Sequence, residues 1–307
     1  MYLFCRRTNV DSVLAATAWA DAGLTIRRER VTGVHPLAGP GAEITTDNAS
    51  YTADLVVDAR GGASSRGSSK HMDESCDLIY TSRFYTLTGP SPTSLEYGYG
   101  TSRSFRGWSG QVLRQGTSDF VLVIARMISE KAPFRIAGTA DFDRILSKIP
   151  GIAEWCRPGT SIPLSDLSTH SGARNVLVDT STDPDYLVRV GDSLAVTDPQ
   201  LGQGASLAAW ESGVLIEEIS RNSPAAAAAS YRRQVERVLE DRVLRSRSYS
   251  RYRSALWPGD SSRKPDDSAA DARVAERLDL ERDANENRDS WLRWNRSVAL
   301  LDLGDDR

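Results

Sequence analysis

The chain has 307 residues, enough for one large domain or two ordinary ones, each with a core of its own. Hydrophobic residues make up 40% and charged residues 26%, and no run nears the ~18 apolar residues of a membrane-spanning helix. A net charge of −3 gives no electrostatic case for nucleic-acid binding. Cys5, Cys76 and Cys156, with His35, His71 and His170, are too scattered for a metal site or a disulfide framework. Only four of the 38 basic residues are lysine, a bias that reflects base composition and carries no functional weight.

From the amino terminus, Arg6 and Arg7 precede a short apolar run that Asp11 and Asp21 bracket, which is too weak for a secretory signal. A helix is expected instead. Thr8 would cap it, Val10, Val13, Leu14, Thr17 and Ala18 would face inward, and Gly23 would end it. Strands are expected at Leu24-Thr25-Ile26 and Val31–Val34, then a turn over Pro36–Gly41. Ala42–Thr46 should pair with Ser50–Ala53 across Asp47-Asn48. The compact run Ala53–Ala59 has the pattern of a buried parallel strand, and it empties into Arg60-Gly61-Gly62-Ala63-Ser64.

Residues 78–130 interleave Tyr80, Phe84, Tyr85, Tyr97, Tyr99, Phe105 and Trp108 with Thr, Ser and Arg, and lead to Phe120–Ile124. That composition suits a largely antiparallel sheet. A short helix is expected over Asp141–Ile149, closed by Pro150-Gly151, and a buried strand over Tyr186–Val190. Leu207–Ser220 and Ala225–Arg245 read as helices, 258–270 as a polar link, and Trp291, Trp294, Val298 and Leu301 as the stripe of a last helix. Eight arginines between 232 and 253 alternate with Glu236, Glu240 and Asp241, the pattern of a solvated helix face.

The most informative segment follows the Tyr186–Val190 strand. Gly191-Asp192 would place a carboxylate at the strand's carboxyl end, where ligands sit in open α/β sheets. An ionised carboxylate there can accept hydrogen bonds from sugar-like hydroxyls. Pro199 stiffens the loop that follows, and Gly202 and Gly204 strip side chains from its backbone. The amides around Gln203, Gly204, Ala205 and Ser206 then open a helix, and bare amides at such a terminus favour negative charge.

This order and spacing resembles the Gly-Asp-x(6)-Pro-x-x-Gly-x-Gly flavin motif of FAD-dependent oxidoreductases with the p-hydroxybenzoate hydroxylase-like fold, a group that includes aromatic hydroxylases, flavin halogenases and geranylgeranyl reductases. Leu55–Ser64 resembles the family's middle motif, Cys5–Thr8 the segment whose arginine lies near the flavin, and Tyr80–Tyr85 the opening of its substrate-side sheet. The resemblance spans residues 1–250. It implies that Asp192 accepts a hydrogen bond from the ribityl chain of FAD, that Pro199 lies over the flavin face, and that the 204–206 amides face the pyrimidine end of the ring. Arg7, or else Arg6, and Gly61 would contact the cofactor. NADH or NADPH would be the electron donor.

The implied architecture is α/β (α+β overall): an incomplete Rossmann-like FAD-binding domain with an inserted, mostly antiparallel sheet and C-terminal helices. The expected divisions are 1–77 and 181–257 for the FAD-binding domain, 78–180 for the substrate-side sheet and 258–307 for a linker and helical segment. Two departures stand out. Arg60 occupies the place where the middle motif often has Asp, and no Lys and tryptophan-rich halogenase motif is present. The family's opening βαβ unit with G-x-G-x-x-G has no counterpart in residues 1–50, since Gly39-Pro40-Gly41 is a turn. An amino-terminally truncated chain is therefore expected, with exposed sheet edges open to association and FAD binding weakened or lost. The implied function is that of a cytoplasmic FAD-dependent oxidoreductase, a monooxygenase acting on an apolar or aromatic small molecule. A non-catalytic fragment or binding module is the alternative.

Overall fold

A computed structural model describes residues 6–62, 67–92, 100–130 and 132–257. Cys5, the Ala63-Ser64 end of the middle motif, Tyr97, Tyr99, the 258–270 link and the stripe from Trp291 to Leu301 lie outside the described residues. The fold is α+β. In chain order the elements are α1 (Arg7–Ala20), β1 (Val31–Pro36), β2 (Ala42–Thr46), β3 (Ser50–Ala53), β4 (Val56–Asp58), β5 (Lys70–Ser75) and β6 (Leu78–Leu87). They continue with β7 (Gly100–Phe105), β8 (Trp108–Arg114), β9 (Asp119–Met127), α2 (Thr139–Leu146), β10 (Ser161–Pro163), β11 (Ser168–Ser171) and β12 (Arg174–Val178). The last are β13 (Leu187–Arg189), β14 (Ala195–Val196), α3 (Gly204–Arg221) and α4 (Pro224–Leu256). Two compact units result. One holds α1 and Asp77–Ala173; the other holds Arg27–Cys76 and Arg174–Ser250.

The first unit is built on an antiparallel sheet of order β10-β6-β9-β8-β7, with β11 sharing the outer edge of β6. The long β6–β9 ladder runs from Leu78 opposite Met127 to Thr86 opposite Asp119. Alternation along β9 sends Phe120, Leu122 and Ile124 to one face, where they meet Phe142, Ile145 and Leu146 of α2 together with Ile149, Ile152 and Trp155. Gly110 of β8 makes this close approach possible, because a Cβ there would lie 2.3 Å from Cδ1 of Ile149. The expected aromatic sheet is therefore present, and its aromatic residues fill a core: Phe120 meets Trp155 edge-on at 4.9 Å and Tyr85 stacks on Phe120 at 5.4 Å.

α1 forms where expected, since its alanines and the absence of Gly or Pro favour helix. It starts one residue before Thr8, with Arg6 as an N-cap that lends no side-chain hydrogen bond. Asp21 caps the far end and accepts the N–H of Gly23 at 2.8 Å. The inward-facing stripe is corrected: α1 buries no residue, and Val13 and Leu14 stand 65% and 63% exposed. Leu24-Thr25-Ile26 is irregular and not a strand. Three residues, only two of them apolar, between Gly23 and the charged run Arg27–Arg30 are too few to hold a ladder.

In the second unit β1, β2 and β3 form an antiparallel meander, with Thr45 opposite Ser50 at the Asp47-Asn48 turn. β12 pairs with both β14 and β5. The β5 and β12 strands had no sequence counterpart: in Lys70–Ser75 only Met72 is apolar, and Val176–Val178 is a run of just three apolar residues. β4 pairs in parallel with β13, Val56 opposite Leu187 and Asp58 opposite Arg189. The parallel pairing matches expectation, but Val57 is exposed and not buried. α4 is longer than expected, and its inward stripe runs Ala228, Tyr231, Val235, Leu239, Val243. At Ser246 and Ser250 that stripe turns polar, where it meets buried Asn175 and Asp198.

Candidate functional site

The site grows from the β4–β13 pair in the second unit. Both strands run in the same direction, so their carboxyl ends open on one edge, and each is followed by a glycine turn. Gly191 takes φ +60, a left-handed conformation that costs other residues about 1 kcal/mol or more. The turn over Gly191–Ser193 is tied back to β4, since the Ser193 hydroxyl donates to the Asp58 carbonyl at 2.5 Å and the Val190 N–H reaches the same oxygen at 3.1 Å. Ser193 is fully buried, so these bonds work away from competing water.

Asp192 is the exposed residue of this turn. It sits among missing side chains: a Cβ on Gly204 would lie 3.8 Å from Asp192 Oδ1, and one on Gly61 would lie 3.9 Å from Asp192 Cβ. Gly61 itself adopts φ +74. Gly61, distant in sequence, is thus brought to Gly191-Asp192 and Gly204, and the glycines leave bare backbone around a carboxylate.

The other half of the site is the entrance of α3. Asp198 accepts the N–H of Gln200 at 3.0 Å and starts a short turn over Pro199–Leu201, which Gly202 ends at φ +62. Pro199, Gly202 and Ala205 are exposed, and Gln203 is buried. α3 then begins at Gly204, with Gln203 as an N-cap that makes no side-chain hydrogen bond. The first-turn amides of Gly204, Ala205 and Ser206 are therefore not capped by a side chain. They carry the positive end of an 18-residue helix. A buried network fixes the loop. The Asp198 N–H donates to Ser246 Oγ at 2.7 Å and Asn175 Oδ1 at 3.1 Å, and the Ser250 hydroxyl donates to Asp198 Oδ2 at 2.6 Å.

Three buried polar groups beside the candidate site escaped the sequence reading. Asp58, 5% exposed, receives Arg60 through its backbone N–H at 3.1 Å and its guanidinium at 2.9 and 3.0 Å, with Arg189 3.7 Å away. Burial pushes the Asp58 carboxyl up, but the Arg60 hydrogen bonds and the charges of Arg60 and Arg189 outweigh it and hold the group below its usual range. Arg60, at the place of the family's Asp, is thereby clamped by the carboxylate two residues before it. Glu211 of α3 is fully buried, and its Oε2 accepts the Gly191 N–H at 2.7 Å. The Tyr231 hydroxyl of α4 donates to the Arg189 carbonyl at 2.8 Å and lies 3.3 Å from the same Glu211 oxygen. The available signal was an acid on an apolar stripe: Leu207, Glu211, Val214, Leu215 and Glu218 share the buried face of α3.

Arg7 opens α1 in the first unit with a side chain 91% exposed, and it pairs with Asp11 at 3.5 Å. Arg6 is the better anchored of the two, 4.8 Å above the Phe84 ring and 4.0 Å from Asp119. The cleft in the second unit lined by His71, Leu177, Arg189, Tyr231, Arg232 and Glu236 includes none of residues 191–193 or 199–206.

A carboxylate that can accept from hydroxyls, beside uncapped amides and glycine-lined backbone, has the donor and acceptor set for a polyol chain joined to an electron-rich ring. The residues present fit the ribityl and pyrimidine parts of FAD. Among the described residues no cluster of His, Cys, Asp or Glu could hold a metal ion, and no helix is long and apolar enough to cross a membrane.

No protein-family profile matches the chain, and no curated protein matches it in sequence. Solved structures do resemble it. CmlS, a flavin-dependent halogenase, superposes with a TM-score of 0.66 at 17% identity, over 95% of this chain and 59% of the halogenase. A variant of Klebsiella pneumoniae HpxO, crystallised with FAD, gives 0.63 at 15% identity over 96% of this chain and 73% of HpxO. PqsL of Pseudomonas aeruginosa, described as a probable FAD-dependent monooxygenase, gives 0.64 at 15% identity over 87% and 72%. The chain spans less than two thirds of CmlS and of the brominase Bmp2, 59% and 65% of their lengths. By its backbone, then, this chain has the fold of the FAD-dependent halogenases and monooxygenases.

Proposed function

We propose that the chain is an FAD-dependent oxidoreductase of the p-hydroxybenzoate hydroxylase-like superfamily, and within it a monooxygenase acting on an apolar or aromatic small molecule. The observation that carries this reading is the meeting of Asp192, Gly61 and Gly204 at the uncapped start of α3. The likeness to flavoproteins supports it independently. Bound FAD would supply the redox chemistry by delivering electrons to dioxygen. The protein's part is to bind and orient: Asp192 accepts from the ribityl hydroxyls, Pro199 flanks the ring, and the Gly204–Ser206 amides favour negative charge on it. Arg7 and Gly61 remain proposed cofactor contacts, and NADH or NADPH the proposed electron donor.

The test is FAD binding, followed by flavin absorption and by quenching of flavin fluorescence. The chain should take up FAD, and Asp192→Ala should weaken uptake by about tenfold or more, as expected for losing a hydrogen bond to a charged group. A chain that leaves FAD free at saturating protein would overturn the reading. The exposed stripe of α1 and the exposed Val57 of β4 favour a second one, a binding module that associates through apolar surface and sheet edges. It predicts self-association or capture of a partner without flavin.

A further inference from the structure

We propose that Glu211 is the positioning residue of the 191–206 site: from the buried face of α3 it holds the Gly191 N–H and so fixes where Asp192 presents its carboxylate. The role of Asp192 toward a flavin rests on the reading above; the hold of Glu211 on the turn does not.

Geometry carries the argument. The Gly191 amide is one of the first donors beyond β13, and Glu211 Oε2 accepts it at 2.7 Å, a charge-assisted bond from a fully buried group. Gly191 is left-handed, with room for a Cβ only at 3.4 Å from Ala208, so α3 packs directly against the turn. The second oxygen of Glu211, Oε1, is buried with no hydrogen-bond partner among the described residues. Such an orphan is costly to bury in a purely structural acid. Tyr231 has one proton to give, and the Arg189 carbonyl at 2.8 Å is nearer than Glu211 at 3.3 Å.

The ionisable groups acting on Glu211 are Tyr231, from α4, and Asp192, from the turn itself. Burial raises the Glu211 carboxyl, the Gly191 N–H and Tyr231 hydroxyl draw it down, the Asp192 charge pushes it up, and the balance lies at about 7. The acid thus changes protonation near neutral pH, and the turn registers that change through the Gly191 amide. A change of charge around Asp192 is felt at Glu211 by the same route.

Val190-Gly191 is the only Val-Gly pair in the sequence, so carbonyl-labelled valine with nitrogen-labelled glycine isolates this one amide by NMR. In the wild-type chain its proton shift should titrate between about pH 5 and about pH 9, with a midpoint near neutrality. Glu211→Gln should abolish the titration. Asp192→Asn, a change at the surface, should lower the midpoint by removing a like charge, and Tyr231→Phe should raise it. An amide indifferent to pH in the wild-type chain, or one that still titrates in Glu211→Gln, overturns the proposal. Should Glu211→Gln fail to fold, the Asp192→Asn arm decides: an unmoved midpoint overturns it.

FAD binding is read separately. Glu211→Gln should weaken it roughly tenfold by freeing the turn that presents Asp192, although the Asp192 carboxylate itself is kept. Failure of the wild-type chain to bind FAD overturns the flavin reading, while the amide titration still decides the role of Glu211.

Discussion

Glu211 and Asp58 are both buried acids, and their surroundings drive them in opposite directions. Asp58 has two guanidinium groups within reach and stays ionised. Glu211 has one backbone N–H, a shared phenol and a neighbouring negative charge, and it is raised from 4.5 to about 7. The folded state therefore holds more protons at Glu211 than the unfolded chain does between those two values. Stability from this group is greatest below the unfolded value and is lost as pH rises through the folded one. The full loss is on the order of 3 kcal/mol. Urea unfolding should accordingly show lower stability at pH 8 than at pH 5, and Glu211→Gln should flatten that part of the profile. An equal slope in the variant would show that the pH dependence lies elsewhere.

Among the elements, the β8–α2 contact depends on one missing side chain. Gly110 lets Ile149 and Leu146 rest on the sheet, and Gly110→Val would drive carbon into the buried Ile149, Leu146 and Ile152 side chains packed over it. A loss of about 2–3 kcal/mol is expected, measured as a drop in the denaturant midpoint. The elements readable in the sequence are those whose pattern has a single explanation. Phe120–Ile124 is a short unbroken run rich in aromatic and β-branched residues, the composition of a buried strand, and Ser50–Ala53 follows a two-residue turn. β5 and β12 were not readable, because Lys70–Ser75 is almost wholly polar and Val176–Val178 is a very short apolar run, and their pairing joins residues about a hundred positions apart. α1 was read correctly as a helix and wrongly as inward-facing, since periodicity specifies a stripe and not what covers it.

At the scale of the whole molecule, much of the site was legible because strand, Gly-Asp, Pro, paired glycines and helix come in one continuous stretch. Its supports were not legible. Asp58 and Arg60 required knowledge of which strand lies beside β13, and Glu211 required the turn of α3 that faces Gly191. Length bears on function too, since the chain spans 59% of CmlS. If the residues present suffice for FAD, saturating cofactor should raise the thermal transition by several degrees, because a ligand at a hundred times its dissociation constant adds about 2.7 kcal/mol. An unchanged transition would count against binding by this chain.

The loop that carries Pro199 depends on partners from far along the chain. Its Asp198 is held by Asn175, Ser246 and Ser250 among others, and both serines belong to the last part of α4. At synthesis rates of about 5–20 residues per second, the ribosome delivers those serines seconds after Asp198 itself. The helix entrance beside Asp192 is therefore expected to set only after those serines emerge, and a nascent chain halted before Ser246 should carry the motif without its shape.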